Sequence, residues 1–258
     1  MDDSLRDLIL VLAAAALGAG IGWCVRTLLW RRKLRRRQRF LGLPDNSECL
    51  LVVNRDAGGD GAVGRNDVFA LLELSALVKD CRSHVQVVSA DTARQGFGER
   101  TEFCVGGPVS NRRTAAHLQS LLPGVRINTA SEPGPDRGCF TVGSERYRLE
   151  SGVAEYVLLA RLTAGQDARP VFLLCGQRSV TSQAAARYLA RNQARLARKH
   201  GINGNFCLLL KVANSDAYGA DVVELVADVT RAASDPPPAP APALPAASSD
   251  KRGAHRAS

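Results

Sequence analysis

The sequence predicts an α/β fold: a Rossmann-like, mainly parallel sheet with an antiparallel hairpin insertion, preceded by one transmembrane helix. Two patterns predict the sheet. Short, almost continuously apolar runs alternate with helical runs, and several of the apolar runs end in glycine and a small polar residue. The predicted divisions are a short N-terminus outside the cell, a transmembrane helix, a basic juxtamembrane linker, a cytoplasmic α/β domain and a disordered tail rich in proline and alanine, at residues 1–7, 8–30, 31–47, 48–233 and 234–258.

The predicted membrane helix is the apolar run at residues 8–30, which is about 23 residues long and so matches a bilayer core of about 30 Å. Its internal charge, Arg26, lies near the end between Trp23 and Trp30, where an arginine can reach the headgroups. A cleaved signal peptide and a buried core helix are the alternatives. Acidic residues before the run and arginines after it do not fit a signal peptide.

The basic block after this run predicts its orientation. Seven lysine and arginine residues lie between Arg31 and Arg39. Because basic flanks favour the cytoplasmic side, the N-terminus is expected outside and the following domain in the cytoplasm, at the cell membrane. The same segment is expected to contact anionic membrane lipid.

The formal net charge of +9 is concentrated in this block, which together with Arg26 carries eight of the nine charges. The domain is therefore close to neutral, and no nucleic-acid partner is expected. The seven cysteines form no CxxC pair, and the four histidines show no metal-ligand spacing. Free, buried thiols in a reducing compartment are expected, and no metal site is predicted.

The first half of the domain reads as alternating strands and helices. A strand at 49–53 precedes a helix that begins near Asn66 as N-cap, and a strand at 84–90 follows. A strand at about 102–105 then leads to a helix capped by Ser110. After it come a short strand at 125–128 and a hairpin of two strands, at 139–142 and 147–149.

The second half contains the most apolar strands. Residues 171–175 and 206–212 predict buried strands, with a helix at about 180–200 between them. Periodicity leaves 153–162 and 222–229 open between strand and helix.

Ligands of open α/β sheets bind outside the carboxyl ends of the strands, so the candidate segments follow each strand, at residues 54–64, 89–91, 106–111, 176–179 and 214–216. Two of these segments share the order strand, glycine, small polar residue, helix. Glycine allows close approach of a ligand, and a helix N-terminus favours an anion such as phosphate. The predicted ligand-binding residues are Gly106, Gly107, Ser110, Asn111, Gly176, Gln177 and Ser179.

A glycine-rich loop follows the first strand and spells GxGxxG at residues 59–64. Its first glycine lies too far from the strand end for a dinucleotide fingerprint. A mobile loop that closes over another ligand is a stronger interpretation than dinucleotide binding, and a plain flexible loop is stronger still. Asp60 in this loop and Glu150 after the hairpin are the candidate catalytic carboxylates, and solvation of the surface explains each equally well. No cofactor follows from these patterns.

The motifs GGPVSN and CGQRSVTSQAA, at 106–111 and 175–185, resemble the C-terminal α/β module of archaeal S-layer-like proteins and of uncharacterised actinobacterial membrane proteins. The resemblance implies a Rossmann-like fold and a glycine-lined pocket, without a known activity. An S-layer role is not expected, because the predicted topology places the domain inside the cell. The positions that match are Gly106, Gly107, Pro108, Asn111, Gly176, Thr181, Ala184 and Ala185.

Three functions follow as hypotheses. The first is a membrane-anchored sensor or effector whose domain binds a small, phosphate-bearing ligand, with a nucleotide-like small molecule as the expected partner. The second is an enzyme that acts on a nucleotide or nucleoside. The third is a membrane scaffold in which the glycines are structural and the domain and tail recruit protein partners.

Overall fold

The computed structural model describes residues 2–54, 64–93, 96–130, 134–165 and 168–236. The helices are α1 (Asp2–Leu41), α2 (Arg65–Lys79), α3 (Arg112–Leu121), α4 (Ser179–Lys199), α5 (Ser215–Tyr218) and α6 (Thr230–Ser234). The strands are β1 (Glu48–Val53), β2 (His84–Ser89), β3 (Thr101–Val105), β4 (Val125–Ile127), β5 (Phe140–Val142), β6 (Glu145–Tyr147), β7 (Ala154–Leu162), β8 (Val171–Gly176), β9 (Phe206–Ala213) and β10 (Val223–Asp228).

Seven strands form one sheet in the order β10-β9-β7-β8-β3-β1-β2. β2, β1, β3 and β8 are parallel neighbours, whereas β7 is antiparallel to both β8 and β9, and β10 is antiparallel to β9. The predicted α/β class is confirmed, with a sheet that is mostly parallel but mixed. The predicted insertion forms a separate antiparallel sheet of three strands, β4-β5-β6.

The two segments that periodicity left open are strands. β7 lies between β8 and β9 and is buried along almost its whole length. A strand in the middle of a covered sheet is apolar on both faces, and for this reason it lacked the alternation that identifies a half-exposed strand. β10 lies at the sheet edge, where most of its residues keep partial exposure to solvent.

Helices cover both faces of the main sheet. One face packs against α2, α4 and the end of α1, and the other packs against α3, α6 and the small sheet. All seven cysteines are free, and six of them are buried, in agreement with the predicted thiols. Burial raises the pKa of Cys49 and Cys175 to about 12, so these thiols are protonated and act as apolar packing groups.

α1 differs from its prediction at its C-terminal end. The basic segment predicted as a linker at 31–47 continues the helix through Leu41, and Phe40, Leu41 and Leu43 belong to the domain core. The most apolar stretch of α1 is long enough to cross a membrane, and none of it is buried against the domain. The alternative of a buried core helix is therefore wrong.

Two predicted helix caps also differ. The N-cap of α2 is Gly64, so Asn66 lies inside the first turn. The N-cap of α3 is Asn111, whose side chain accepts a hydrogen bond from the backbone N–H of Thr114 at 3.0 Å. Ser110 instead donates its hydroxyl toward the carbonyl of Gly107. The side chain of Asn111 reaches the third residue of α3, Thr114, and so caps the helix in place of the predicted Ser110.

Candidate functional site

The strand order places a switch point between β1 and β3. The chain leaves β1 to form β2 on one side, then returns to form β3 on the other side. At such a point the connections diverge and leave a crevice outside the carboxyl ends of the strands. Asn54 follows β1 and Gly106 follows β3, so both lie at this crevice.

A cavity of about 250 Å³ occupies the crevice, and we call it the carboxyl-edge cavity. The small sheet forms one wall through Ile127, Asn128 and Phe140. Six of the seven predicted ligand-binding residues line the cavity, although they come from two segments about 70 residues apart. They are Gly106, Gly107, Ser110, Gly176, Gln177 and Ser179.

Two of these glycines are required by close packing. Gly106 has a φ of +105°, and a Cβ there would clash with the side chain of Asn54. A Cβ on Gly176 would clash with the hydroxyl of Thr181. These contacts favour glycine whether or not a ligand binds, so the glycines by themselves do not identify the function.

The N-terminus of α4 opens into the carboxyl-edge cavity. Its N-cap, Arg178, is extended and makes no side-chain capping hydrogen bond. Ser179 and Ser182, in the first turn, line the cavity. α4 is 21 residues long, and the backbone N–H of Thr181 in its first turn donates to the carbonyl of Arg178 at 3.1 Å. The N–H groups of Ser179 and Val180 before it have no side-chain cap and offer a positive dipole end. An anion is the natural partner of this position.

Two predicted residues have structural partners instead. Asn111 is fully buried, does not line the cavity and donates to the carbonyls of Val105 and Val52 at 3.0 and 3.3 Å. Its amide therefore joins two strands to α3, and its prediction as a ligand-binding residue has no support in the geometry. Gln177 lines the cavity, but its amide donates to carbonyls of the insertion, those of Gly138 and Tyr147.

Asn54 was not selected from the sequence, although it begins one of the post-strand segments. Its amide nitrogen donates to the carboxylate of Asp67 at 3.3 Å. Its Oδ1 is buried and has no hydrogen-bond partner within the part of the chain that the structure describes. A buried carbonyl oxygen without a donor is unfavourable. This atom has almost no surface open to the cavity, and residues 55–63, which follow it directly, lie outside the described residues.

The candidate catalytic carboxylates do not gain support from the site. Asp60 and most of the glycine-rich loop lie outside the described residues. Glu150 is exposed beside β7 and does not line the carboxyl-edge cavity. Among the described lining residues there is no aspartate or glutamate that could act as a general acid or base.

A buried polar cluster lies under α3. It was not predicted, because the spacing of its members in the sequence does not match a metal-binding motif or a catalytic triad. Glu102 on β3 accepts from the Sγ of Cys104 at 3.1 Å and contacts Nε2 of His117 at 3.3 Å. These three residue types could hold a metal ion, and their ligand atoms lie within 4.8 Å of one another. However, Arg113 donates to both carboxylate oxygens, at 2.7 and 2.9 Å. A cation would have to displace this guanidinium, so the cluster is a structural ion-pair network.

The cluster also makes a nucleophilic role for Cys104 unfavourable. Its thiol is fully buried, and burial together with the neighbouring Glu102 carboxylate raises its pKa well above the usual range. A thiol in this environment stays protonated, whereas nucleophilic cysteines are thiolates in electropositive surroundings.

We expect the Glu102 cluster to make stability depend on acid pH. Burial alone raises the pKa of Glu102, but hydrogen bonds from His117, Arg113 and Cys104 and the charge of Arg113 outweigh it and lower the pKa to about 2, from an ordinary 4.5. A carboxylate with a depressed pKa stabilises the folded state fully above about pH 4.5, and this contribution is lost as the pH falls toward 2. Urea unfolding of the wild type and of Glu102→Gln at several pH values tests this.

The difference in unfolding free energy between the two proteins should be constant from pH 7 to about 5 and should narrow below that. The same comparison with Glu99→Gln, an exposed carboxylate on the preceding loop, should show a small difference at every pH. A difference for Glu102→Gln that does not change between pH 5 and 2.5 would contradict the assigned pKa.

No family model matches this chain, and no curated protein matches it in sequence. The resemblance to the module of S-layer-like proteins therefore stays a prediction.

Proposed function

We propose that this protein is a single-pass membrane protein whose cytoplasmic, Rossmann-like domain binds a small phosphate ester in the carboxyl-edge cavity, as a sensor or effector. The observation that carries the proposal is the convergence of two glycine turns and the uncapped N-terminus of α4 on one cavity at the switch point of the sheet. The order β2-β1-β3-β8 supports the Rossmann-like description, because it is an order of doubly wound sheets.

The orientation follows from the charge distribution around α1. Lysine and arginine are concentrated between Arg31 and Arg39, on the side of the apolar run from which the domain continues. Basic residues next to a span favour the cytoplasm, so the domain is assigned to the cytoplasm and the N-terminus to the outside. The reduced, buried cysteines of the domain agree with a reducing compartment.

Phosphate is the favoured anion because of what surrounds the first turn of α4. Backbone N–H groups at a helix start bind phosphate without a dedicated cation. The neighbouring guanidinium of Arg178 donates through Nη1 to the buried carboxylate of Glu155 at 2.6 Å and to Ser151 at 3.0 Å. Its charge is therefore largely balanced, and the helix N-terminus is the feature that selects an anion.

The size of the cavity limits the rest of the ligand. At about 250 Å³ it is smaller than the roughly 300–1,000 Å³ typical of pockets for drug-sized ligands. A dinucleotide does not fit this volume. A compact phosphate ester, such as a phosphorylated polyol or small sugar, fits this volume.

Ser179→Asp tests the phosphate assignment sharply, because it should change stability and binding in opposite directions. A carboxylate in the first turn of α4 is expected to stabilise the free protein by about 0.3–1 kcal/mol through the helix dipole. The same carboxylate should raise the Kd for inorganic phosphate and glycerol 3-phosphate at least about tenfold, since like charges in contact are strongly unfavourable. Thermal shifts of the full chain in detergent micelles measure both effects.

Ser179→Ala is the matched control. It retains the backbone N–H groups and should bind both probes within about threefold of the wild type. Glycerol 3-phosphate should bind more tightly than inorganic phosphate, and glycerol alone should not bind. If Ser179→Asp binds the probes as well as Ser179→Ala does, the phosphate does not lie on α4 and the proposal is wrong.

A further inference from the structure

A second cavity lies at the opposite end of the sheet, next to α1. It has a volume of about 1380 Å³ and is formed where the end of α1 meets the described segments of the loop between β7 and β8, residues 163–165 and 168–170. These segments lie at the amino ends of β3 and β8. A six-residue strand spans about 20 Å, so the length of the strands separates this cavity from the carboxyl-edge cavity.

Four arginines line this cavity, which we call the arginine cavity: Arg35, Arg39, Arg161 and Arg169. Asp45 is the acidic residue among the lining residues within the described ranges. None of the four arginines forms an ion pair with a carboxylate of the described part of the chain. Within the described residues, the lining of the arginine cavity therefore carries four positive charges and one negative charge.

Arg161 makes this more than a solvated basic surface. It is only 2% exposed, and its guanidinium donates to the backbone carbonyls of Phe40 and Gly204, each at 3.0 Å. Burial lowers its pKa to about 10, so it remains charged at neutral pH. The guanidinium also lies over the Phe40 ring, with its Cζ 5.6 Å from the ring centroid. A buried charge that has carbonyl and aromatic partners but no carboxylate partner among the described residues is costly, and an anion in the cavity would compensate it.

The position of the cavity along α1 indicates where that anion comes from. Arg35 and Arg39 follow Trp30, the last residue of the apolar run, by five and nine positions. At 1.5 Å per residue these positions lie about 8 and 14 Å beyond the apolar run. The headgroup layer extends about 5–8 Å beyond the hydrocarbon on each side of a bilayer. Arg35 thus lies at the outer edge of the headgroup layer and Arg39 lies beyond it. Because helical side chains lean toward the helix N-terminus, both arginines can extend back toward the lipid phosphates.

We infer that the arginine cavity is a phosphate-binding site and that its occupant is the phosphate of an anionic membrane lipid. Guanidinium groups bind phosphate oxygens in a bidentate manner. Several guanidinium groups around one cavity favour a phosphate over a carboxylate, because the phosphate has more acceptor oxygens. The inference shares the membrane-spanning α1 with the proposed function but is independent of the carboxyl-edge cavity. Ser179→Asp should leave lipid binding here unchanged, so the two proposals can fail separately.

The test compares two variants of equal charge. Arg35→Gln/Arg39→Gln removes two exposed arginines of the cavity, whereas Arg31→Gln/Arg32→Gln removes two arginines of the same helix that do not line it. The full chain in zwitterionic micelles is titrated with dioctanoyl phosphatidic acid, dioctanoyl phosphatidylcholine, inorganic phosphate and pyrophosphate. Since all four replaced side chains are exposed, both variants should fold.

We expect saturable binding of the phosphatidic acid, weakened at least about tenfold by Arg35→Gln/Arg39→Gln and no more than about twofold by the control variant. Phosphatidylcholine should not compete. Equal weakening by both variants, or no binding above that of phosphatidylcholine, would overturn the site. Inorganic phosphate or pyrophosphate binding as tightly as the lipid would support a phosphate site but overturn its assignment to the membrane.

Discussion

Glu102→Gln is expected to destabilise the folded domain by about 3 kcal/mol or more, as measured by urea unfolding of the full chain in micelles at pH 7. The carboxylate is 2% exposed and receives two hydrogen bonds from Arg113, whose side chain is 16% exposed. Glutamine keeps the volume but removes the charge, so the guanidinium stays largely buried without its counter-ion. Removing one partner of a buried pair typically costs about 3–5 kcal/mol.

A double-mutant cycle separates the ion pair from the packing. Glu102→Leu/Arg113→Leu replaces both partners by apolar groups. Its loss of unfolding free energy should be clearly smaller than the sum of the losses in Glu102→Leu and Arg113→Leu. If the unfolding free energy of Glu102→Gln lies within about 0.5 kcal/mol of the wild-type value, the buried network does not stabilise the packing of α3 on β3. The metal-like arrangement of Glu102, Cys104 and His117 would then need another explanation.

The sequence predicted the sheet well where local pattern decides structure. Continuous apolar runs gave β8 and β9 almost to the residue, and the glycine turns after β3 and β8 were placed at the carboxyl edge. Their meeting at one cavity followed from the general rule that parallel strands end at a common edge. This rule needs no knowledge of strand order.

The unpredicted features depend on strand order and on side-chain contacts between distant segments. No local pattern shows that β7 inserts between β8 and β9, and an apolar run gives no strand direction. Arg161 reads in sequence as a charge near the end of an apolar run, and only the fold places it beside Phe40, 121 residues earlier. Glu102 and Arg113 likewise pair through the packing of α3 on β3. The arginine cavity and the buried network therefore required the structure.

The end of α1 is the clearest case, because there the predicted and observed structures imply opposite results for one variant. Phe40 is 1% exposed, stacks on Phe206 with a centroid distance of 6.2 Å and meets the edge of Phe172 at 6.3 Å. We expect Phe40→Ala to destabilise the domain by about 3–5 kcal/mol in urea unfolding of the full chain. If the segment were a linker, as its composition suggested, the variant would be neutral.

Leu29→Ala is the control, since Leu29 lies in the same helix but is 60% exposed and has no contact with the core. It should leave the unfolding of the domain unchanged within about 0.5 kcal/mol. Limited trypsin digestion adds a local measurement, because the arginines before Phe40 are helical and should be cut slowly in the wild type and faster in Phe40→Ala. In the proposed topology, this helical junction holds the arginine cavity on the membrane side of the domain and the carboxyl-edge cavity at the opposite end of the sheet.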